Sequence, residues 1–425
     1  MLLKAVTYFA WRLFHIQTRT LIQCVEVINM KKLFYRITAI IIAVIMLLPI
    51  SLEVLGEENA PISDGNLIAA PEGSLNLNCK SAILMEATTG TVLYSQNADE
   101  ALPPASVTKI MTLLLVMEAI DAGTIRIDDT VSISANAASM GGSQVFLEEG
   151  EQMSIEDLLK SVVIASANDA AVALAEYVSG SVDAFVGKMN TKAVELGMTS
   201  TRFENVTGLD DTAENHLTSA KDIALMSRAL IAHPLILQYS SIWMDTIRDG
   251  AFGLTNTNRL VRFYKGCTGL KTGSTSKAGF CVSATAERDG LSLVCVIMGA
   301  ESRDIRNAAA TTLLDWGFAN FALFKEEAGT SQPISAKGSA IREMTCTYPA
   351  FSCVVRREEL SKIEKVVTLA ESIVAPIPVG EKVGVVSFRC GQKEIGSVDI
   401  CTVTEIKRIG FFEILSHVFA KSLLI

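Results

Sequence analysis

Histidine is scarce in this chain. Its four copies, at positions 15, 216, 233 and 417, are scattered, and no Cys/His group falls at metal-ligand spacing. The expectation is chemistry without a metal or other cofactor. Basic residues are also in the minority: 37 Lys and Arg face 46 Asp and Glu, a formal net charge of −9. That balance leaves no positive footprint for a nucleic acid. Low-complexity tracts and obvious internal repeats are missing, which sets aside a repeat array. Long apolar runs are missing too, since the one at 37–50 is short for a membrane span. What remains, 49% hydrophobic and 20% charged residues over 425 positions, describes a globular protein of two domains.

The N-terminus reads as an export signal. Met30-Lys31-Lys32 and Arg36 supply a charged start, the apolar run at 37–50 follows, and Val54-Leu55-Gly56 offers small residues for cleavage before Glu57. Residues 1–29 add nothing to this pattern, so translation is expected to begin at Met30. Residues 30–56 are then the signal peptide, and 57–74, rich in Glu, Asn, Pro and Gly, a mobile leader. Nine cysteines accompany this signal. Cys24 falls outside the expected mature chain. Most of the others sit in strand-like apolar stretches, where a buried free thiol is expected rather than a disulfide framework. None lies in a motif with a base, so none is a candidate nucleophile.

Three short motifs carry chemistry. Ser106-Val107-Thr108-Lys109 follows the chain-breaking Leu102-Pro103-Pro104-Ala105 and precedes an apolar run at 110–120. That context puts the serine at a helix start and Lys109 one turn away on the same face. A serine hydroxyl needs a base to take its proton, and a lysine desolvated by apolar neighbours can be that base. Ser166-Ala167-Asn168 lies between two helical patterns, one at 158–164 opened by the cap Ser154-Ile155-Glu156-Asp157, the other at 169–178. A polar pair between apolar helices must reach solvent or meet polar partners in a cleft. Ser166 is expected to relay protons near Lys109 and the leaving amine, and Asn168 to hydrogen-bond the substrate backbone. Lys271-Thr272-Gly273-Ser274 opens a segment whose second half reads as a strand, with another at 291–298 after the turn Arg288-Asp289-Gly290. Beside such a strand edge an extended peptide can pair its backbone. Lys271 supplies charge, Thr272 a hydroxyl for a carboxylate, and Gly273 room for close approach. The backbone N–H groups of Ser106 and Ser274 are the candidates for an oxyanion hole. The three motifs, in this order, form the set of the serine acyl-transferases that react with penicillin.

With these residues the chain resembles the serine-type D-alanyl-D-alanine carboxypeptidases, low-molecular-mass penicillin-binding proteins of the bacterial cell wall. Further matching segments are Ala82-Ile83-Leu84-Met85-Glu86-Ala87-Thr88-Thr89-Gly90, Asn205-Val206-Thr207-Gly208-Leu209, His216-Leu217-Thr218-Ser219-Ala220-Lys221-Asp222 and Asp315-Trp316-Gly317-Phe318. The resemblance implies an α/β (α+β) penicilloyl-serine-transferase fold: a five-stranded antiparallel sheet flanked by helices at 75–325, then a small all-β domain at 335–403. It implies an acyl-enzyme on Ser106, a peptidoglycan stem peptide ending in D-Ala-D-Ala as substrate, and β-lactam antibiotics as covalent inhibitors. In that family an arginine after the last catalytic-domain strand helps bind the terminal carboxylate. Arg306 is the best positional match, with Arg303 competing nearby. Ser274 departs from the histidine or aromatic of some members, which leaves a backbone donor unaffected. His216 is a structural residue of its loop in this reading. The alternatives are a DD-endopeptidase of the same family, a class A-like β-lactamase with Glu204 activating water, and a non-catalytic wall scaffold.

The end of the chain changes period. Strand-like segments at 342–348, 351–356, 365–369 and 382–389 give way at 404–425 to a helical pattern. Phe411, Phe412, Leu415, Val418, Phe419 and Leu423 fall together, while Lys407, Glu413, His417 and Lys421 lie largely elsewhere. The expectation is an amphipathic helix, too charged to be a comfortable span, lying in the membrane interface as a peripheral anchor on the outer face of the cytoplasmic membrane.

Overall fold

The computed structural model describes residues 75–209 and 213–422. The expected signal and leader at 1–74 and Leu423 lie outside the described residues, as do the side chains of His417 and Lys421.

The segment Ser81-Ala82-Ile83-Leu84-Met85-Glu86 is buried along its whole length. A strand buried on both faces belongs inside a sheet that is covered on both sides. It is strand β1 (Ser81–Glu86), joined by β2 (Val92–Gln96), β3 (Cys267–Thr275), β4 (Gly279–Arg288) and β5 (Leu291–Ala300). The order is β2-β1-β5-β4-β3, antiparallel throughout. Alternation along the strands feeds two cores. Ile83, Met85, Val294, Val296 and Met298 face one, and Ala82, Leu84, Leu293, Cys295 and Ile297 the other. The β4–β5 hairpin closes on Asp289 and Gly290, both at positive φ, which is the two-residue turn that fits the twist of the strands.

Helices cover both faces. α1 (Lys109–Asp121) is buried from Lys109 to Met117 on all sides, as a helix apolar all round must be. α2 (Ile155–Ile164) begins at Ser154, whose side chain accepts the Asp157 N–H, a cap worth about 1 kcal/mol. α3 (Asn168–Ser179) ends on Gly180 at φ +76°. α4 (Ala220–Ile231) packs on the same side as α1, and α5 (Arg303–Asn320) covers the opposite face. There Gly317 is required, because a Cβ would come within 2.6 Å of Leu84. Among the described residues no single helix is long and apolar enough to cross a membrane.

The C-terminal part is built of strands. β6 (Phe321–Glu326) starts where α5 stops and pairs with β7 (Phe351–Arg356). β8 (Ile363–Leu369), β9 (Lys382–Cys390) and β10 (Lys393–Cys401) form the larger part of a five-stranded sheet. Phe351 stacks on Phe388 at 4.8 Å, and Gly396 leaves the space beside that pair, since a Cβ there would sit 2.2 Å from the Phe351 ring. The stretch expected as one strand at 342–348 is two, Glu343–Met344 and Thr347–Tyr348, paired into different sheets. The chain ends in α6 (Phe411–Ser422). All eight described cysteines are free thiols.

Candidate active site

Ala105–Thr108 forms a tight 3-10 turn that leads straight into α1, with Ala105 held at φ +49°. The turn offers Ser106 at the helix entrance and drops Lys109 into the interior, where it is fully buried. The Lys109 amine lies 3.0 Å from the Ser106 hydroxyl, 2.6 Å from Asn168 Oδ1 and 3.0 Å from the Thr207 carbonyl. Its pKa is pushed well below that of an ordinary lysine, first by burial and then by the charge of Lys271.

The second motif lies where α2 gives way to α3. Ser166 has φ +65° and is nearly buried. Its hydroxyl accepts from Lys271 at 2.8 Å. Ser166, expected to relay protons near Lys109, has its hydrogen bond to Lys271 instead of to that amine. The Lys109 amine has its three contacts taken by Ser106, Asn168 and Thr207, so Ser166 couples to the other lysine. Asn168 is likewise engaged: besides Lys109, its Nδ2 donates to the Gly141 carbonyl at 2.6 Å, which leaves a second N–H. Gly142 lets that loop approach, since a Cβ would fall 2.7 Å from Asn168 Nδ2.

The third motif is on β3, the last strand in the sheet order, whose outer edge pairs with no other strand among the described residues. Lys271 is buried and held near a pKa of about 7, chiefly by burial and then by Arg306. Thr272 donates its hydroxyl to Thr257 at 2.9 Å. A Cβ on Gly273 would lie 2.7 Å from the Ser106 nitrogen and 2.9 Å from the Pro104 carbonyl, so only glycine lets the strand pack against the serine turn. Ser274 follows at an exposed position.

Arg306 is not an open donor. It is 3% exposed, and its guanidinium donates to the Cys281 carbonyl and to Asn307 Oδ1. Its position in the first turns of α5 turns it inward against β4, and its effect on the cleft is electrostatic. Arg303 and Arg259, both exposed, are close enough to hold its pKa down to about 10 together with burial. The carboxylate of Glu204 accepts the Asn215 N–H and stands 3.7 Å from Arg202.

A family profile described as D-alanyl-D-alanine carboxypeptidase matches residues 68–302. DacF of Bacillus subtilis strain 168, named a D-alanyl-D-alanine carboxypeptidase, is 40% identical over 345 residues, 80% of this chain and 88% of DacF. The chain belongs to the D-alanyl-D-alanine carboxypeptidase family. DacC of Escherichia coli K12, of the same name, is 34% identical over 79% of this chain and 86% of its own length. A profile described as the penicillin-binding protein 5 C-terminal domain matches 347–408. Penicillin-binding protein 5 of Haemophilus influenzae has a crystal structure similar to this fold, with a TM-score of 0.69 at 29% identity, covering 79% of this chain and 99% of that one.

In this carboxypeptidase several site residues escaped the sequence reading. Thr257 bridges the motifs, taking the Thr272 hydroxyl while its N–H donates to the Ile164 carbonyl. Gly208, at φ +81°, lies so near that a Cβ would overlap the Ala105 carbonyl at 1.8 Å. His216 accepts the Glu204 N–H at Nδ1, which leaves the proton on Nε2, facing Thr108 Oγ1 at 2.8 Å. Thr108 in turn donates to the Ala105 carbonyl. The structural histidine thus steadies the residue before the serine. The signal for Gly208 was the Asn-Val-Thr-Gly-Leu segment at 205–209, matched without a role, that for His216 was its own segment at 216–222, and Thr257 had none.

Proposed function

We propose that this carboxypeptidase removes the terminal D-alanine from peptidoglycan stem peptides through an acyl-enzyme on Ser106. The observation that carries the proposal is the Lys109 amine. Two of its three neighbours, Asn168 Oδ1 and the Thr207 carbonyl, are pure acceptors. A neutral amine gives its two hydrogens to those oxygens and has its lone pair left for the Ser106 proton. Burial, followed by the charge of Lys271, favours the neutral form.

Ser106 then attacks the penultimate carbonyl of a peptide laid along the free edge of β3, and the backbone N–H groups of Ser106 and Ser274 hold the oxyanion. The second N–H of Asn168 reaches the substrate backbone on the acyl side. Ser166 gives its proton to the departing D-alanine and is resupplied by Lys271, which already donates to it. Water then gives its hydroxyl to the acyl carbon and a proton to Ser106, and the proton that Lys109 took from Ser106 passes back to Lys271 to reset the site. The Arg306 guanidinium raises the positive potential at Lys271, with Arg303 and Arg259 close to Arg306 in turn, and this favours a substrate that ends in a carboxylate, which supports carboxypeptidase over endopeptidase action. Penicillin mimics the substrate and acylates the same serine. Ser106→Ala is expected to abolish both D-alanine release and labelling by fluorescent penicillin. Full activity in that variant would end the proposal.

We infer export as well, with the enzyme held at the outer face of the cytoplasmic membrane by α6. Phe411, Phe412 and Phe419 are 72%, 81% and 61% exposed, on a helix flanked by Lys407 and Arg408. An amphipathic helix of this kind buries its apolar face in the headgroup region.

A further inference from the structure

Phe146 is a bulky residue held in a backbone conformation it does not favour, with its side chain turned to solvent. Its φ is +55°, in the left-handed region, and it is 67% exposed. Core packing does not account for that arrangement. The conformation is imposed from two sides. The buried carboxylate of Asp169 accepts the N–H groups of Val145 and Leu147, the residues flanking Phe146, each at 3.1 Å. Arg248 donates to the carbonyls of Val145 at 2.8 Å and Phe146 at 3.1 Å, and is itself fixed by Glu151 at 2.6 Å. Phe252 meets the Phe146 ring edge-on at 6.4 Å, with the Arg248 guanidinium 5.5 Å from the Phe252 ring. Asp169 directly follows Asn168, and the same loop gives the Gly141 and Ser143 carbonyls to Asn168. The loop that carries Phe146 is therefore pinned to the cleft at Asn168.

An outlier over-determined by buried polar groups next to Asn168, which itself contacts Lys109, points to a role in that site. We propose that Phe146, backed by Phe252, is a substrate-binding ledge that takes the hydrocarbon face of the acyl-side part of the substrate, upstream of the bond Ser106 attacks. This rests on the stem-peptide reading above, in which Asn168 holds the acyl-side backbone. Phe146 lies three residues from Ser143, whose carbonyl takes the Asn168 N–H, a reach of at most roughly 10 Å from that contact, which an extended peptide covers in about three residues. An uncharged aromatic ring suits a C–H-rich surface, which an aliphatic stem side chain or a sugar ring of the attached glycan presents.

Phe146→Gly removes the ring and relieves the left-handed strain, so it separates binding from folding. Its kinetics are to be compared with wild type and Phe146→Trp on three substrates: a short acylated D-Ala-D-Ala dipeptide, the free stem peptide, and the stem peptide carrying its disaccharide. The ledge requires an unchanged kcat/KM on the dipeptide and a KM raised about three- to tenfold on the longer substrates. It also requires an unchanged or higher melting temperature, and recovery in Phe146→Trp. A loss on both longer substrates assigns the ring to a peptide side chain. A loss confined to the disaccharide form assigns it to the glycan. Equal loss on all three, or none on any, overturns the ledge. Wild-type enzyme that frees no D-alanine from any of them would overturn the reaction itself instead.

Discussion

The catalytic domain and the small β domain use burial in opposite ways. The first takes charge inside: Lys109, Lys271 and Arg306 are at most 3% exposed, although an unpaired buried charge costs several kcal/mol. The second buries no Lys, Arg, Asp or Glu among its described residues, and leaves Val366 and Val367 of β8 37% and 46% exposed. Each departure from the ordinary oil-drop pattern marks a task. Buried amines are ones whose protons can be moved near neutral pH, and exposed apolar faces are ones that another surface can cover.

Two glycine substitutions test that contrast most severely. Gly273→Ala would drive a methyl into the Ser106 backbone and is expected to lower the acylation rate by about 100-fold or more, since a misplacement near 1 Å has that cost. Gly396→Ala would push on Phe351 in the β domain, and its effect should fall on melting temperature while the folded fraction acylates at the normal rate. Penicillin acylation kinetics and calorimetry on both variants decide it, and a slowed acylation in Gly396→Ala would dissolve the division of labour.

A smaller effect follows from the buried lysines. Lys271 has a pKa of about 7 in the fold against an ordinary 10.5, so between those values the unfolded chain binds more protons than the native one. The Lys271 contribution to stability therefore rises with pH across that window, by up to about 1.4 kcal/mol per pH unit, and above about pH 9 the buried thiols, whose pKa values are raised, act in the opposite direction. Lys109 acts in the same direction. Lys271→Met should flatten the dependence of melting temperature on pH between 7 and 9, and an unaltered slope would mean that Lys271 is not the group responsible. The least change in catalysis is expected from ending the chain at Thr404. Without α6 the signal-processed enzyme should move from the membrane to the soluble fraction with its turnover intact. Sedimentation of the truncated protein with membranes would refute the anchor.

Local signals made much of this legible. The apolar run after Lys109, the Ser154 cap and the Asp289-Gly290 turn place α1, α2 and the β4–β5 hairpin to within a few residues, and the motif spacing assembles Ser106, Lys109, Ser166, Asn168 and Lys271 into one cleft. What stayed hidden depends on distant partners. The pairing of Ser166 with Lys271 rather than Lys109 follows from Thr207, 98 residues from Lys109, occupying the amine. Arg306 is aimed inward by the docking of α5, which no linear motif encodes. β10 escaped because its residues are largely exposed and interrupted by Gly396, and β6 because it follows α5 without a turn residue to announce it.

The free thiols carry a consequence for what holds the fold together. Burial pushes Cys79, Cys267, Cys281 and Cys353 up to about 11, and raises Cys295 and Cys346 as well. At pH 7 a thiol of pKa 11 is thiolate in only about one molecule in ten thousand. Thiol–disulfide exchange and oxidation both proceed through the thiolate, so those groups are close to inert once the fold closes over them. Among the described residues there is no disulfide for a reductant to cut. The fold of the described residues therefore rests on packing and hydrogen bonds, with no sulfur bridge among its supports.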